Sequence, residues 1–178
     1  MDTSSNTLAQ VVDTITELVK NHKHNCVIIQ GEIGAGKTRF AERLVIALRQ
    51  RKLTVGGIIS PRILDGDETI GYRVRDITTG EEQLLATVAP PGIRVGKFYL
   101  SQDALTFART AIEQAVSTAN IGFIDEVGRL ELAEKGHAPA LRVLLQSDAI
   151  PVLFIRTKFI GGIVDKFNIA DYAAFPVG

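Results

Sequence analysis

Gly31-Glu32-Ile33-Gly34-Ala35-Gly36-Lys37-Thr38 fits G-x-x-x-x-G-K-[ST] at every position. The apolar run Cys26-Val27-Ile28-Ile29 leads into it. Phe40, Ala41, Leu44, Val45, Ala47 and Leu48 follow at the three- and four-residue spacing of a helix. A strand that turns through glycines into a helix is the setting in which this pattern cradles phosphate. Successive backbone N–H groups curl around an anion, and the helix N-terminus adds unpaired donors and the positive end of its dipole. Gly31, Gly34 and Gly36 are expected to permit close approach and positive φ. Lys37 is expected to reach the β- and γ-phosphates, and the Thr38 hydroxyl to ligate Mg²⁺. The expected nucleotide-binding segment therefore comprises Gly31, Glu32, Ile33, Gly34, Ala35, Gly36, Lys37, Thr38 and Arg39.

The bulk composition narrows the class. A chain of 178 residues suits a single domain, 1–178, with a core large enough to fold alone. Hydrophobic residues at 46% and charged ones at 22% point to a soluble globular protein. A formal net charge of zero advertises neither a nucleic-acid-binding nor a membrane-binding surface. The single cysteine, Cys26, has no intramolecular disulfide partner and reads as a small buried hydrophobe. Met1 to Asn6 lacks the basic and apolar regions of a signal peptide, and no apolar run reaches membrane-spanning length. The expected location is the cytoplasm and the favoured state a monomer.

Residues 7–20 read as an amphipathic helix, with Leu8, Val11, Val12, Ile15, Leu18 and Val19 on one face and Ser4, Ser5 or Asn6 as its cap. That face is expected to pack on the domain edge, the alternative being a partner-binding helix. His22 and His24 fall in the polar link that ends near residue 25 and read as solvated. Leu53 to Ser60 is a second strand, with Gly56-Gly57 inside it. From about 61 to 100 the helical signal vanishes. Thr69 to Ile77 alternates like a half-buried strand, Thr79-Gly80 is a turn, Gln83 to Val88 runs apolar, and Val95 to Leu100 is a further strand. This section reads as an antiparallel β-hairpin insertion beside the main sheet, either a lid over the phosphates or an edge extension. Asp103 is expected to cap a helix running to Val116. Ile121 to Ile124 forms a strand, Ala138 to Gln146 a helix with Pro139 in its first turn, and Ile150 to Ile155 another strand. A short helix is expected over Gly162 to Phe167 and an edge strand over Ala173 to Val177. Strands alternating with helices predict a three-layer α/β fold, with a mainly parallel sheet between helices.

Asp125-Glu126 closes the strand at the sheet edge where ligands sit in open α/β folds. Asp125 matches a Walker B aspartate holding Mg²⁺, and Glu126 beside it is expected to orient the attacking water. Arg129, Arg62 and Arg156 lie near strand ends at the same edge, as does Thr157. An arginine there would offset charge on the phosphoryl oxygens, whereas a surface ion pair is the commoner fate.

With both halves placed, the chain resembles the THEP1-type nucleoside-triphosphatase family from about Val27 to Ile155. The phosphate-binding motif is widely shared. The more specific stretch is Ile124-Asp125-Glu126-Val127-Gly128-Arg129-Leu130-Glu131-Leu132, which resembles the family's D-E-[IV]-G-[KR]-x-E-L. Gly57-Ile58-Ile59-Ser60, Ile70-Gly71-Tyr72 and Arg94-Val95-Gly96-Lys97-Phe98 resemble its second strand, hairpin and R-V-G-[KQ]-Y segment. The resemblance implies a RecA-like P-loop NTPase fold and Mg²⁺-dependent hydrolysis of ATP, GTP and other nucleoside triphosphates, with slow turnover and loose base selectivity. Expected catalytic residues are Glu126, Lys37 and Arg129, and expected metal ligands Thr38 and Asp125. Where the family has Thr-Glu-Glu-Val-Arg, this chain reads Ser60-Pro61-Arg62-Ile63-Leu64: the acids are gone, the arginine is not in its usual place, and Arg62 is a candidate substitute for it. The family's tail after the last strand is shortened here, so fewer base contacts are expected from it. Two other readings stay open: a kinase that passes the γ-phosphoryl group to a small acceptor, and a nucleotide-gated interaction module.

Overall fold

Five strands carry little but apolar side chains; four of them are buried on both faces, as such runs require, and the fifth, Tyr172–Pro176, is a half-exposed edge strand. They are β1 (Cys26–Gln30), β2 (Val55–Ile59), β8 (Ile121–Val127), β9 (Ile150–Ile155) and β10 (Tyr172–Pro176), and they run parallel in the order β10-β1-β9-β8-β2. The structure is a computed structural model that describes residues 3–23 and 25–178, with side chains from residue 7 onward. His24 lies outside the described residues, as do the side chains of Ser4, Ser5 and Asn6.

Successive residues of each strand point to opposite faces, so Val27 and Ile29 join one core and Ile28 the other. On the first face Phe123 and Phe154, their ring centroids 5.4 Å apart, pack under α1 (Thr3–Lys20) and α2 (Lys37–Gln50). On the second, Ile28, Ile124 and Leu153 pack under α3 (Gln102–Thr118), α5 (Ala138–Leu145) and α6 (Ile160–Lys166). Each such fully buried side chain contributes roughly 1.5–3 kcal/mol. This is the expected three-layer α/β arrangement. Val11 and Ile15 of α1 are wholly buried, so its apolar stripe belongs to the core. The helix begins at Thr3, before the serines and asparagine expected to cap it, which places those three within the helix.

The insertion is more than a hairpin. It comprises β3 (Arg62–Asp65), β4 (Glu68–Asp76), β5 (Glu82–Thr87), β6 (Ile93–Val95) and β7 (Phe98–Leu100), all antiparallel. It continues the main sheet through β2 and β4, with Ile58 opposite Asp76 and Ile59 opposite Arg75. It is therefore an edge extension in register with the core. Pro61 cannot donate to the ladder. The chain bends there, and β3 pairs with the same strand that β2 has just left. The segment read as one strand from Val95 to Leu100 is split by a turn in which Gly96 takes φ 64.

Ser101, not Asp103, caps α3: its hydroxyl accepts from the Ala104 N–H at 3.2 Å, and Asp103 sits in the first turn. Thr157, expected at a strand end, opens a 3-10 turn (Thr157–Phe159) that leads into α6. Among the described residues, no helix is long and apolar enough to cross a membrane.

Candidate functional site

The loop from Gly31 to Gly36 leaves β1 at the carboxyl end of the parallel strands. The Gly31 N–H donates to the Ile155 carbonyl of β9, which ties the loop to its neighbour. Gly34 and Gly36 have φ 82 and φ 84, and a Cβ at either would meet open space. Their backbone freedom is thus what the turn uses. Gly31 differs from expectation: its φ is not positive, and a Cβ there would lie 2.6 Å from the Val177 carbonyl oxygen. It is a close-approach glycine, packed against the segment that follows β10.

Lys37 opens α2 and is only 4% exposed. Its ammonium donates to the carbonyls of Gly31 at 2.8 Å and Glu32 at 3.0 Å, so it bridges the two sides of the loop. Glu32, Ile33 and Arg39 point outward, and Arg39 shares a shallow depression with Ala35, Phe40 and Val177.

The second half arrives from β8. Thr38 donates its hydroxyl to Asp125 Oδ2 at 2.8 Å, and the Ser60 N–H donates to the same oxygen at 3.0 Å. Asp125 is fully buried, and its Oδ1 has no hydrogen-bond partner; neither has the buried Ser60 hydroxyl. Burial, then the neighbouring Glu126 charge, push the Asp125 carboxyl up to about 7, against the bonds from Ser60 and Thr38 and the charge of Lys37. The register of β8 against β9 breaks between Ile124 and Val127, and inside that break Glu126 adopts φ 66. This αL conformation costs a side-chain-bearing residue roughly 1–2 kcal/mol. It turns Glu126 away from the ladder, where its carboxylate meets Arg156 at 3.5 Å.

Arg129 begins a short helix, α4 (Arg129–Leu132), and is exposed on the rim of a cavity that Glu126 also lines. Arg62 is exposed on β3, and Thr157 is exposed in its turn. Of the three arginines considered, Arg156 is the one paired with Glu126. Two contributors escaped the sequence reading. Ser60 binds Asp125 through its backbone N–H, which no residue type announces. Glu131 is 2% exposed and accepts from the Gly128 N–H at 2.7 Å and the His137 N–H at 2.9 Å. Its position three residues past Gly128 is a capping spacing, and that was the legible signal. Burial holds the Glu131 carboxyl above its usual range, with those hydrogen bonds opposing.

This sheet order, with a glycine-rich loop between β1 and α2, is the architecture of the P-loop NTPases. A family model described as NTPase matches residues 26–176, and the chain belongs to this THEP1-type nucleoside-triphosphatase family. It is 35% identical over 141 residues to the nucleoside-triphosphatase THEP1 of Methanopyrus kandleri, covering 73% of this chain and 78% of that one. The corresponding protein of Thermofilum pendens is 38% identical over 128 residues, covering 71% and 70%. Two solved structures share the fold. The human cancer-related nucleoside triphosphatase superposes with TM-score 0.70 at 22% identity, covering 86% of this chain and 89% of that one. THEP1 from Aquifex aeolicus superposes with TM-score 0.68 at 18% identity, with the same coverage.

Proposed function

We propose that this chain hydrolyses nucleoside 5′-triphosphates to the diphosphate and phosphate in a Mg²⁺-dependent reaction, with little selectivity for the base. The observation that carries this reading is the bond between Thr38 and Asp125, which brings a hydroxyl and a buried carboxylate together beside the Lys37 loop. The residues fit the metal. Both donors are hard oxygens, as Mg²⁺ prefers, and Asp125 Oδ1 is a buried acceptor lacking a partner. Thr38 and Asp125 would hold the ion, directly or through water. Bound Mg²⁺ supplies positive charge to the β- and γ-phosphate oxygens.

The protein's own groups do the rest. Backbone N–H groups of residues 31–38 receive the phosphate oxygens, and Lys37 neutralises charge between the β- and γ-positions. Glu126 accepts a hydrogen bond from the attacking water and aligns it. Arg156, already beside Glu126, offsets charge on the equatorial oxygens as the phosphoryl group moves. Arg129 stands at the cavity rim as a further cation. The names of the relatives support hydrolysis of nucleoside triphosphates.

The test is phosphate release by wild type and Lys37→Ala with ATP, GTP, CTP and UTP, with and without Mg²⁺. Release that needs both Mg²⁺ and Lys37, at similar rates for all four nucleotides, is the expected result. Tight nucleotide binding without release would overturn the hydrolase reading.

A further inference from the structure

A cavity of about 300 Å³ opens beside Glu126; the reaction proposed above uses its Glu126, Arg156 and Arg129 but gives no role to its aromatic and aliphatic wall. Its walls come from both parts of the sheet. Tyr72 and Phe98 of the insertion and Leu105 of α3 line it together with Glu126, Arg156 and Phe159. No residue from 31 to 39 lines it, so it is separate from the phosphate-binding loop. Tyr72 and Phe98 meet edge to face, with centroids 5.3 Å apart and planes at 76°. Together with Leu105 and Phe159 they are only partly buried, although Tyr72, Leu105 and Phe159 pack against a well-filled core. Half-covered aromatic and aliphatic walls converging on a few polar groups are the usual make-up of a small-molecule site.

Among its polar groups, Glu126 and Arg156 lie 3.5 Å apart. Glu126 lines the cavity and is also the carboxylate proposed to align the attacking oxygen. In phosphoryl transfer the attacker and the leaving oxygen lie roughly in line across phosphorus. A molecule seated among Tyr72, Phe98 and Leu105, with a hydroxyl at Glu126, would occupy the attacker's position and exclude water from it.

We propose that this cavity is an acceptor site for a small ring-bearing alcohol, and that the chain transfers the γ-phosphoryl group to it. The proposal rests on the nucleotide reading above. The alcohol oxygen bonds to the γ-phosphorus, and the bond from that phosphorus to the β–γ bridging oxygen breaks. The nucleoside diphosphate leaves with the electron pair. The hydroxyl proton passes to the Glu126 carboxylate and then to solvent. The products are a phosphate monoester, a nucleoside diphosphate and a proton.

The test uses benzyl alcohol, 2-phenylethanol and thymidine as probes. Binding to the nucleotide-free protein is read by saturation-transfer NMR, and products with γ-labelled ATP are read by chromatography. Leu105→Trp fills the cavity and, in a chain without tryptophan, adds a fluorescent reporter inside it. Tyr72→Leu removes the aromatic edge and guards against misfolding of the first variant, with circular dichroism checking both. We expect at least one probe to bind, both variants to weaken it by at least about tenfold, and labelled monoester to form at the expense of labelled phosphate. No binding by any probe, binding indifferent to both substitutions, or labelled phosphate as the sole product would each overturn the acceptor site. Phosphate release in plain water with no probe bound keeps the hydrolase reading and sinks this one. Monoester formation without phosphate release in water does the reverse.

Discussion

Arg156 Nη2 lies 3.5 Å from Glu126 Oε2, joining the strained turn of β8 to the end of β9. Both side chains are about one-quarter to one-third exposed, at 26% and 31%, so the pair is open to solvent and contributes little to stability. Its value lies in position. Glu126→Gln is expected to lower single-turnover hydrolysis by roughly 10²–10⁴-fold while nucleotide affinity is kept. Arg156→Gln is expected to cost roughly 10²–10³-fold. Because the two groups touch, the double variant should lose less than the product of the two single effects. Rapid-quench kinetics on the four proteins decide this, and full multiplicativity would mean that the residues act independently.

Asp125 is a buried carboxylate with one oxygen unpartnered. Its bonds from Thr38 and Ser60 and the charge of Lys37 only partly offset burial, so removing the charge at constant shape relieves a net desolvation cost. Asp125→Asn should therefore raise the thermal midpoint of the nucleotide-free protein at pH 8, by the equivalent of roughly 1–3 kcal/mol, while abolishing phosphate release. A lowered midpoint in calorimetry would show that the carboxylate is stabilising as it stands.

Gly57 sits inside β2 at φ 94, and a Cβ there would lie 2.2 Å from the Phe123 carbonyl oxygen on the adjacent strand. That oxygen is backbone and cannot swing aside. Gly57→Ala combines positive-φ strain with a clash inside the central parallel pair. It should cost more than about 3 kcal/mol, measured by urea denaturation. Gly66→Ala is the control. It also has positive φ, but a Cβ there meets open space, so its loss should be near 1 kcal/mol.

Burial pushes the His137 imidazole down to about 4. The folded chain thus keeps it neutral where the unfolded chain, near 6.5, would take up a proton. Stability from this residue is fully present above about pH 6.5 and is lost as pH falls from 6.5 towards 4, by about 3 kcal/mol in all. Glu131 acts in the opposite sense, since its raised carboxyl gains a proton in the fold first. His137→Asn should flatten the slope of unfolding free energy against pH between 6.5 and 4.5. An unchanged slope would place the acid sensitivity elsewhere.

Local pattern and chemistry were enough for part of this molecule. The spacing of Gly31, Gly34, Gly36, Lys37 and Thr38 required a strand, a turn and a helix whatever surrounded them. The unbroken apolar runs at residues 26–29, 121–124 and 150–155 required burial on both faces. Those constraints are carried by neighbours in sequence, so the sequence alone determined the three-layer parallel core and the site's first half. It also set Asp125 and Glu126 at a strand end. Contacts between distant segments were another matter. That Thr38 meets Asp125 across 87 residues, that Arg156 rather than Arg129 or Arg62 pairs with Glu126, and that Gly31 is packed by Val177 depend on strand order and on the break in register at β8. The insertion's continuation of the main sheet was decided in the same way, because Pro61 ends one ladder and the free edge of β4 starts the next. Side-chain periodicity records which face a residue shows; which partner waits on that face is settled only when the chain closes on itself.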